Sequence, residues 1–275
     1  MKRLSVILFV ALGAASLPAQ TPTLVKLWET KATLKVPESV LYDAERGVLY
    51  VTNIDGEPWG DDGKGSIGKV GLNGKVIAAD WVAGLSAPKG MGLKGSTLYA
   101  ADIDRVVVID IEKGAIVDKI AVAGAHGLND IALGADGTIY VSDSKDKKIY
   151  AIRDGKASLL VEGLSAPNGV HVRGGKLYVM DNGSLFRIRP DGGKSLVSAG
   201  TEGNGDGLES IGGGGFLISY WQGVIELAKG DGSREVLLDT SAAKVSSADL
   251  GYDPVRHIVY VPTFFGNTVV AYELK

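Results

Sequence analysis

Six times along the chain a polar or charged residue stands ten to twelve residues ahead of a short aromatic or aliphatic strand: Glu38, Lys89, Asn129, Asn168, Asp206 and Asp249. Carboxylates and amide carbonyls converging from several strands are the hard oxygen donors that a cation such as Ca²⁺ requires. The chain has no cysteine and 3 histidines, so a zinc site of ordinary composition is the weaker expectation. An unpaired buried carboxylate or amide costs on the order of several kcal/mol, so a bland hub at these positions would be apolar or small. Asn and Asp also cap strand heads and turn amides, and at any one position that role suffices. Four oxygen-bearing residues in one register favour a site instead.

The elements that must position these residues repeat with them. Aligned on the following strand, the copies begin PESVLYDAERGVLYVTN at Pro37, APKGMGLKGSTLYAAD at Ala87, GLNDIALGADGTIYVSD at Gly127, APNGVHVRGGKLYVMD at Ala166, GDGLESIGGGGFLISY at Gly205 and SADLGYDPVRHIVYVP at Ser247. Equivalent positions lie 51 (89−38), 40 (129−89), 39 (168−129), 38 (206−168) and 43 (249−206) residues apart. A period near forty, with short strands and glycine-rich turns inside it, predicts an all-β, six-bladed β-propeller with four-stranded blades. Third strands are expected at Ser66–Leu72, Arg105–Ile111, Lys148–Asp154, Ser184–Pro190, Gly223–Lys229 and Thr268–Leu274, and fourth strands follow five of them. The sixth copy offers only three strands before Lys275, so the N-terminal segment Leu24–Glu29 is expected to close the ring in the last blade and remove the exposed sheet edges. In such a ring, equivalent strand heads meet at one mouth of the central channel.

The motifs that carry the six positions resemble those of the senescence marker protein, gluconolactonase and regucalcin-like six-bladed propellers, relatives of paraoxonases and strictosidine synthase, and the resemblance spans the chain that follows its first 19 residues. It rests on Glu38-Ser-Val-Leu-Tyr-Asp43, close to that family's Glu-x-Pro-x-Trp-Asp opening, on Leu128-Asn129-Asp130, on Ala166-Pro167-Asn168-Gly169 and on Gly205-Asp206-Gly207-Leu208. Carried over position by position, the resemblance implies Glu38, Asn168 and Asp206 as ligands of a divalent cation, most simply Ca²⁺, with Asn129 a fourth or water-mediated one. It further implies an exported, metal-dependent hydrolase of a lactone or small ester. In the reaction so implied, a cation would supply polarisation of the carbonyl, Asp206 would take the proton of the attacking water, and the Asn129 and Asn168 amides would hold the substrate oxygen. Two residues depart from the family pattern. Lys89 places an ammonium beside Glu38, to pair with it or to grip a carboxylate on the substrate, and Asp249 on the other flank adds an offsetting negative charge. A non-catalytic ligand-binding or interaction propeller is the competing expectation: Lys89 suits an anionic ligand, and Leu49-Tyr-Val-Thr-Asn53 is similar to the repeat of bacterial surface-layer propellers.

Around the ring, the segment Asn53 to Gly65 is the longest loop at the mouth; it carries Trp59 and several acids and reads as a lid or a solvated acidic loop. Trp221, with Tyr220, and Phe264, with Phe265, are candidates for an aromatic wall or for packing between blades. His126, three residues before Asn129 and near the mouth, is a candidate substrate contact; it and His171, on an inner strand, are also candidate bases, with a satisfied structural role the simpler reading for both, and His257 in a turn reads as a surface residue. Asp102, Asp143 and Asp181 end second strands, where turn capping explains them at least as well as substrate contact. The run Gly60 to Ser66 lacks the first glycine of a phosphate loop, and the two Gly-Leu-Ser-Ala-Pro segments have proline where a nucleophile elbow needs glycine.

Residues 1–19 have a basic start (Lys2, Arg3), an apolar stretch too short to span a bilayer and a small residue before Gln20, the pattern of a secretory signal peptide. Residues 20–275 are expected to form a single domain in a periplasm or outside the cell, its core large enough to need no disulfide. Removal of Lys2 and Arg3 takes the formal charge from −3 to −5, 27 basic residues against 32 acidic. A mildly acidic chain without a basic stripe points to a small-molecule substrate rather than nucleic acid or an anionic membrane surface, and no obligate protein partner is evident.

Overall fold

Short apolar runs punctuated by Gly and Asp/Asn turns cannot bury a face alone, and each period of the chain folds as one antiparallel sheet that packs on its neighbours. The computed structural model describes residues 21–200, 203 and 205–275; the expected signal peptide at 1–19 lies outside the described residues. Strand β1 (Leu24–Glu29) precedes the first blade, which is β2 (Pro37–Asp43), β3 (Val48–Asn53), β4 (Gly65–Gly71) and β5 (Val76–Leu85). The second blade is β6 (Pro88–Lys94), β7 (Thr97–Asp102), β8 (Arg105–Asp110) and β9 (Ala115–Ala121), and the third is β10 (Leu128–Leu133), β11 (Ile139–Asp143), β12 (Lys148–Arg153) and β13 (Lys156–Val161). The fourth blade is β14 (Pro167–Arg173), β15 (Lys176–Asp181), β16 (Ser184–Ile188) and β17 (Lys194–Ser198). The fifth is β18 (Gly205–Ser210), β19 (Phe216–Tyr220), β20 (Val224–Ala228) and β21 (Arg234–Asp239). In the sixth, β22 (Gly251–Asp253), β23 (Ile258–Pro262) and β24 (Val269–Leu274) are completed by β1 on the outer edge. The described residues thus form six four-stranded antiparallel sheets, the architecture the period predicts.

The ring is closed by hydrogen bonds between distant parts of the chain. β1 pairs with β24 from Leu24↔Leu274 to Glu29↔Val270, and backbone bonds link Thr23 to Lys275 in both directions at 3.0 Å. Trp28 then packs against Tyr260, ring centroids 5.9 Å apart, and its indole N–H donates to the Leu72 carbonyl in the first blade.

Apolar clusters fill the wedges between adjacent blades. Tyr50, Ile67 and Leu85 of the first blade pack with Leu98, Val107 and Ile109 of the second, and Val170, Val179 and Ile188 of the fourth with Ile149 and Val161 of the third. Each fully buried aliphatic or aromatic side chain contributes about 1.5–3 kcal/mol relative to exposure, so these wedges stabilise the ring and hold the inner strands in place.

Candidate functional site

Five of the inner strands share an irregularity where they start. The pairing register with the second strand shifts between Pro37 and Val40, Pro88 and Met91, Leu128 and Ile131, Pro167 and Val170, and Gly205 and Leu208. Glu38, Lys89, Asn129, Asn168 and Asp206 each fall inside one of these gaps. A bulge leaves its residues out of the ladder and re-aims their side chains, which is how five strand heads turn their side chains into the channel mouth. Hydroxyls on the second strand satisfy backbone N–H groups freed there: Ser39 donates to Thr52 Oγ1 (2.8 Å), Asp130 to Ser142 Oγ (3.0 Å) and Gly207 to Ser219 Oγ (2.8 Å). The approach to each strand head is fixed as well. Asp102 accepts the N–H groups of Ser86 and Ala87, Asp143 that of His126, and Asp181 those of Ser165 and Ala166. These aspartates cap interblade loops and do not face the mouth.

Glu38, Lys89, Asn129, Asn168 and Asp206 line one cavity of about 550 Å³ together with Trp59 and Trp221. Phe264 and Phe265 extend its aromatic side, the Trp221 ring standing edge-on to Phe264 at 5.7 Å and to Phe265 at 6.3 Å. The Asn53 to Gly65 loop reaches the cavity through Pro58 and Trp59, while its three aspartates turn elsewhere: Asp55 to Lys35, Asp61 to Ser86 and Arg105, and Asp62 to Lys64.

Glu38 and Lys89 are both buried, 4% and 3% exposed, with Nζ 3.8 Å from Oε1. Glu38 Oε2 is buried with no hydrogen-bond partner among the described residues. The Asn168 amide donates to Asp206 Oδ1 (3.0 Å), and the Asn129 amide donates to Ser144 Oγ (3.0 Å), which itself donates to the Pro167 carbonyl (2.6 Å). Each amide thus spends one of its two N–H donors on a neighbour, and among the described residues the amide oxygens accept nothing. Burial raises the pKa of Glu38 despite the opposing pull of Lys89. Asp206 stands well above the usual carboxylate range because it is buried and because Glu38 and Asp249 repel its charged form, effects that Lys89 and Asn168 only partly offset.

Two sequence candidates lie elsewhere. Asp249 precedes the short β22, accepts from Ser39 Oγ at 2.5 Å and lines a separate polar section of the channel, about 210 Å³, with Asp130, His171 and Glu209. No bulge re-aims it: its backbone bridges to Ser39 of the first blade, Asp249 N–H donating to the Glu38 carbonyl at 2.9 Å. The His126 side chain is 72% exposed, bonds Asp146 Oδ2 through Nδ1 at 2.6 Å and does not line the mouth cavity. His171, with Nδ1 3.6 Å from Glu209 Oε2, is held down to about pKa 4 by burial and by Arg173. His257 is exposed in its turn.

Ser144 and Lys145 are the contributors that sequence reasoning passes over. Ser144 orients Asn129, and Lys145 reaches Trp59 with Nζ 4.8 Å from the ring centroid. Both sit in the Asp143 to Lys148 turn after a second strand, where a Ser-Lys pair reads as solvated turn; the only signal is that this turn and the ring emerge on the same side.

Among the described residues no group of three or more His, Cys, Asp and Glu side chains is arranged to hold a metal ion. The donor set that fits a hard cation is mixed: Glu38 and Asp206 carboxylates with Asn168 and Asn129 amide oxygens, one of the carboxylate oxygens being buried and, among the described residues, unpartnered.

No protein-family model matches the sequence, and no curated relative matches it. Solved structures share the fold over nearly the whole chain. A protein described as belonging with gluconolactonases aligns over 94% of this chain and 93% of its own, with a TM-score of 0.69 and 17% identity. A catalytically inactive His-to-Ala variant of virginiamycin B lyase from Staphylococcus aureus, solved with quinupristin, aligns over 93% of this chain and 99% of its own at TM-score 0.64 and 14% identity. A streptogramin B lyase covers 93% of this chain and 98% of its own at TM-score 0.66 and 12% identity. At such identities the likeness is one of fold.

Proposed function

We propose that the mouth cavity is the active site of a divalent-cation-dependent hydrolase of a lactone or small ester, of the gluconolactonase and regucalcin-like kind that the ring motifs resemble. The observation that carries this reading is the unspent oxygen set among the described residues: a buried Glu38 oxygen without a partner there, and two asparagines that each spend one N–H on a neighbour while their carbonyls accept nothing. Glu38, Asn168 and Asp206 would hold the cation, with Asn129 a direct or water-mediated fourth. When bound, a cation such as Ca²⁺ supplies Lewis-acid polarisation of a carbonyl oxygen and stabilises the charge that develops there.

The chain's own residues do the rest. Asn168 fixes Asp206 through Oδ1, leaving Oδ2 as the proton acceptor for an attacking water. Burial raises the basicity of that carboxylate, the direction a general base needs. The second N–H of the Asn129 amide, whose first is spent on Ser144, donates to the substrate oxygen, and the Trp221 and Phe264 side takes the apolar body of the substrate and excludes water. No histidine lines the cavity among the described residues, so proton transfer falls to a carboxylate.

The Lys89 ammonium, 3.8 Å from Glu38, favours a second reading in which the propeller binds an anionic ligand without catalysis and Lys89 is Glu38's counter-ion. Metal analysis of the purified protein and a panel of lactones and esters, with Ca²⁺ or with chelator, separates the two. Hydrolysis is expected only with the cation, and Glu38→Gln or Asp206→Ala is expected to remove Ca²⁺ binding and turnover together. A folded, metal-free wild type whose stability ignores both Ca²⁺ and chelator would sink the hydrolase reading. Export to a periplasm or beyond the cell belongs to the same proposal, and N-terminal sequencing of the mature protein is expected to begin at Gln20.

A further inference from the structure

Lys89 is an unusual occupant of a strand head. Its side chain is 4% exposed, it lines the mouth cavity, and among the described residues its ammonium makes no hydrogen bond; Glu38 at 3.8 Å is a charge neighbour beyond hydrogen-bond reach. A buried ammonium keeps three donors to satisfy. What holds it is the face of Trp59, 4.3 Å from Nζ to the ring centroid. The Lys145 ammonium approaches the same indole at 4.8 Å. Lys145 gets there by lying across Gly127, where a Cβ would come within 2.6 Å of its Cγ, so the missing side chain of Gly127 is the space the lysine stem occupies. One tryptophan of the longest mouth loop thus gathers two cations at the rim of the cavity, one from the second blade and one from the third.

Lys89 inside the cavity and Lys145 at its rim thus set two ammonium groups beside the two carboxylates of Glu38 and Asp206, and the divalent cation of the proposed reaction would leave this end of the site with surplus positive charge. We infer that the substrate carries a carboxylate, seated on Lys89 and Lys145 beside Trp59, with its ester or lactone carbonyl toward Asp206 and Asn129. This rests on the hydrolase reading above. Two lysines act as point charges with rotatable donors, suited to a single carboxylate presented at variable angles, and no arginine fork lines the cavity among the described residues. The aromatic residues account for the rest of such a molecule: an apolar ring bearing one negative group.

A matched pair of probes tests this on the full-length protein: the carboxylic acid of phthalide, a lactone carboxylate at neutral pH, and its neutral carboxamide. Binding is measured by calorimetry and turnover by release of the ring-opened acid, in Ca²⁺, for the wild type, Lys89→Met and Lys145→Met. Wild type is expected to favour the carboxylate about tenfold, the size of one charge-assisted hydrogen bond. That ratio is expected to fall several-fold in Lys145→Met, whose exposed site leaves folding intact, and to approach one in Lys89→Met. Equal binding of the two probes by wild type, no binding of the carboxylate, or an unchanged ratio in Lys145→Met and in a folded Lys89→Met overturns the inference. Selective binding of the carboxylate without hydrolysis of either probe overturns the hydrolase reading and leaves the anion seat standing; hydrolysis of both probes at equal efficiency does the reverse.

Discussion

Among the described residues Glu38 Oε2 has no hydrogen-bond partner, and burial raises the pKa of Glu38, Asp206 and Asp249 together. In each case the folded state binds a proton more readily than the unfolded chain. The stability these groups contribute is therefore full below their unfolded values, near pH 4, and is lost as pH rises toward their folded values. His171 works in the opposite sense but only below about pH 6.5, its unfolded value, because its folded pKa is about 4. Glu209, pushed up by burial to about 8, gives up its proton between about pH 6.5 and pH 8.5, so the cation-free protein is expected to lose thermal stability across that range, and Ca²⁺ is expected to restore more of it at the upper pH, since the ion supplies counter-charge to the ionised carboxylates. Scanning calorimetry with Ca²⁺ or chelator at both ends of that range reads the effect; a stabilisation by Ca²⁺ that shrinks as pH rises contradicts it. Residue types and register were legible in the chain, since six oxygen- or charge-bearing side chains recur at matching places. That Asp249 faces the lower channel and His126 the solvent was not, because side-chain direction at a strand head is decided by local pairing and not by position in a repeat.

That pairing is a property of the elements. The bulges that turn Glu38, Lys89, Asn129, Asn168 and Asp206 into the mouth depend on which second-strand residue each one faces, information that a single strand's sequence does not hold. Close approach between inner strands is the other hidden condition. A Cβ on Gly169 would lie 2.3 Å from the Asp206 backbone oxygen, and one on Gly207 would lie 2.5 Å from the Leu250 backbone nitrogen. The glycines after Asn168 and Asp206 thus let neighbouring strand heads come near enough for Asn168 to bond Asp206. Gly169→Ala is expected to cost about 1–3 kcal/mol, because backbone rather than a flexible side chain must move, and to weaken Ca²⁺ binding at least about tenfold. Gly212→Ala, where a Cβ meets nothing within 4 Å, is expected to be near neutral. Denaturant unfolding and Ca²⁺ calorimetry of the pair check this, and equal effects at both positions would remove the close-approach explanation. Strand positions themselves were readable: Leu24–Glu29 and Ala115–Ala121 coincide with β1 and β9, because alternation and turn residues mark strand limits without reference to partners.

At the scale of the molecule the ring depends on one outer strand. β1 contributes little core, its residues being half-buried or exposed, yet it covers the edge of β24 and carries Trp28 onto Tyr260. Deletion of residues 21–29 is expected to lower stability by about 3–5 kcal/mol, through loss of Trp28 packing and of the β24 ladder, and to produce dimers that pair through the uncovered edge. Equilibrium unfolding and size-exclusion chromatography read both; a monomer of unchanged stability would show that the blades hold without the closing strand. Ring closure was legible from a count of strands, since a sixth copy one strand short and an orphan strand at the other end leave one way to remove two edges. It also sets an order in time. Val269 and Thr30, bonded across the seam, are 239 residues apart, so β1 is synthesised early and waits for a partner that is made long after it. Until then the growing chain is an unfinished arc whose most distant contact is still missing, and contacts of such long sequence separation form slowly. A protein that cannot shut its ring before β24 exists stays open while it is being made, and the seam that locks the five-strand mouth in place is set only once the last strand has been synthesised.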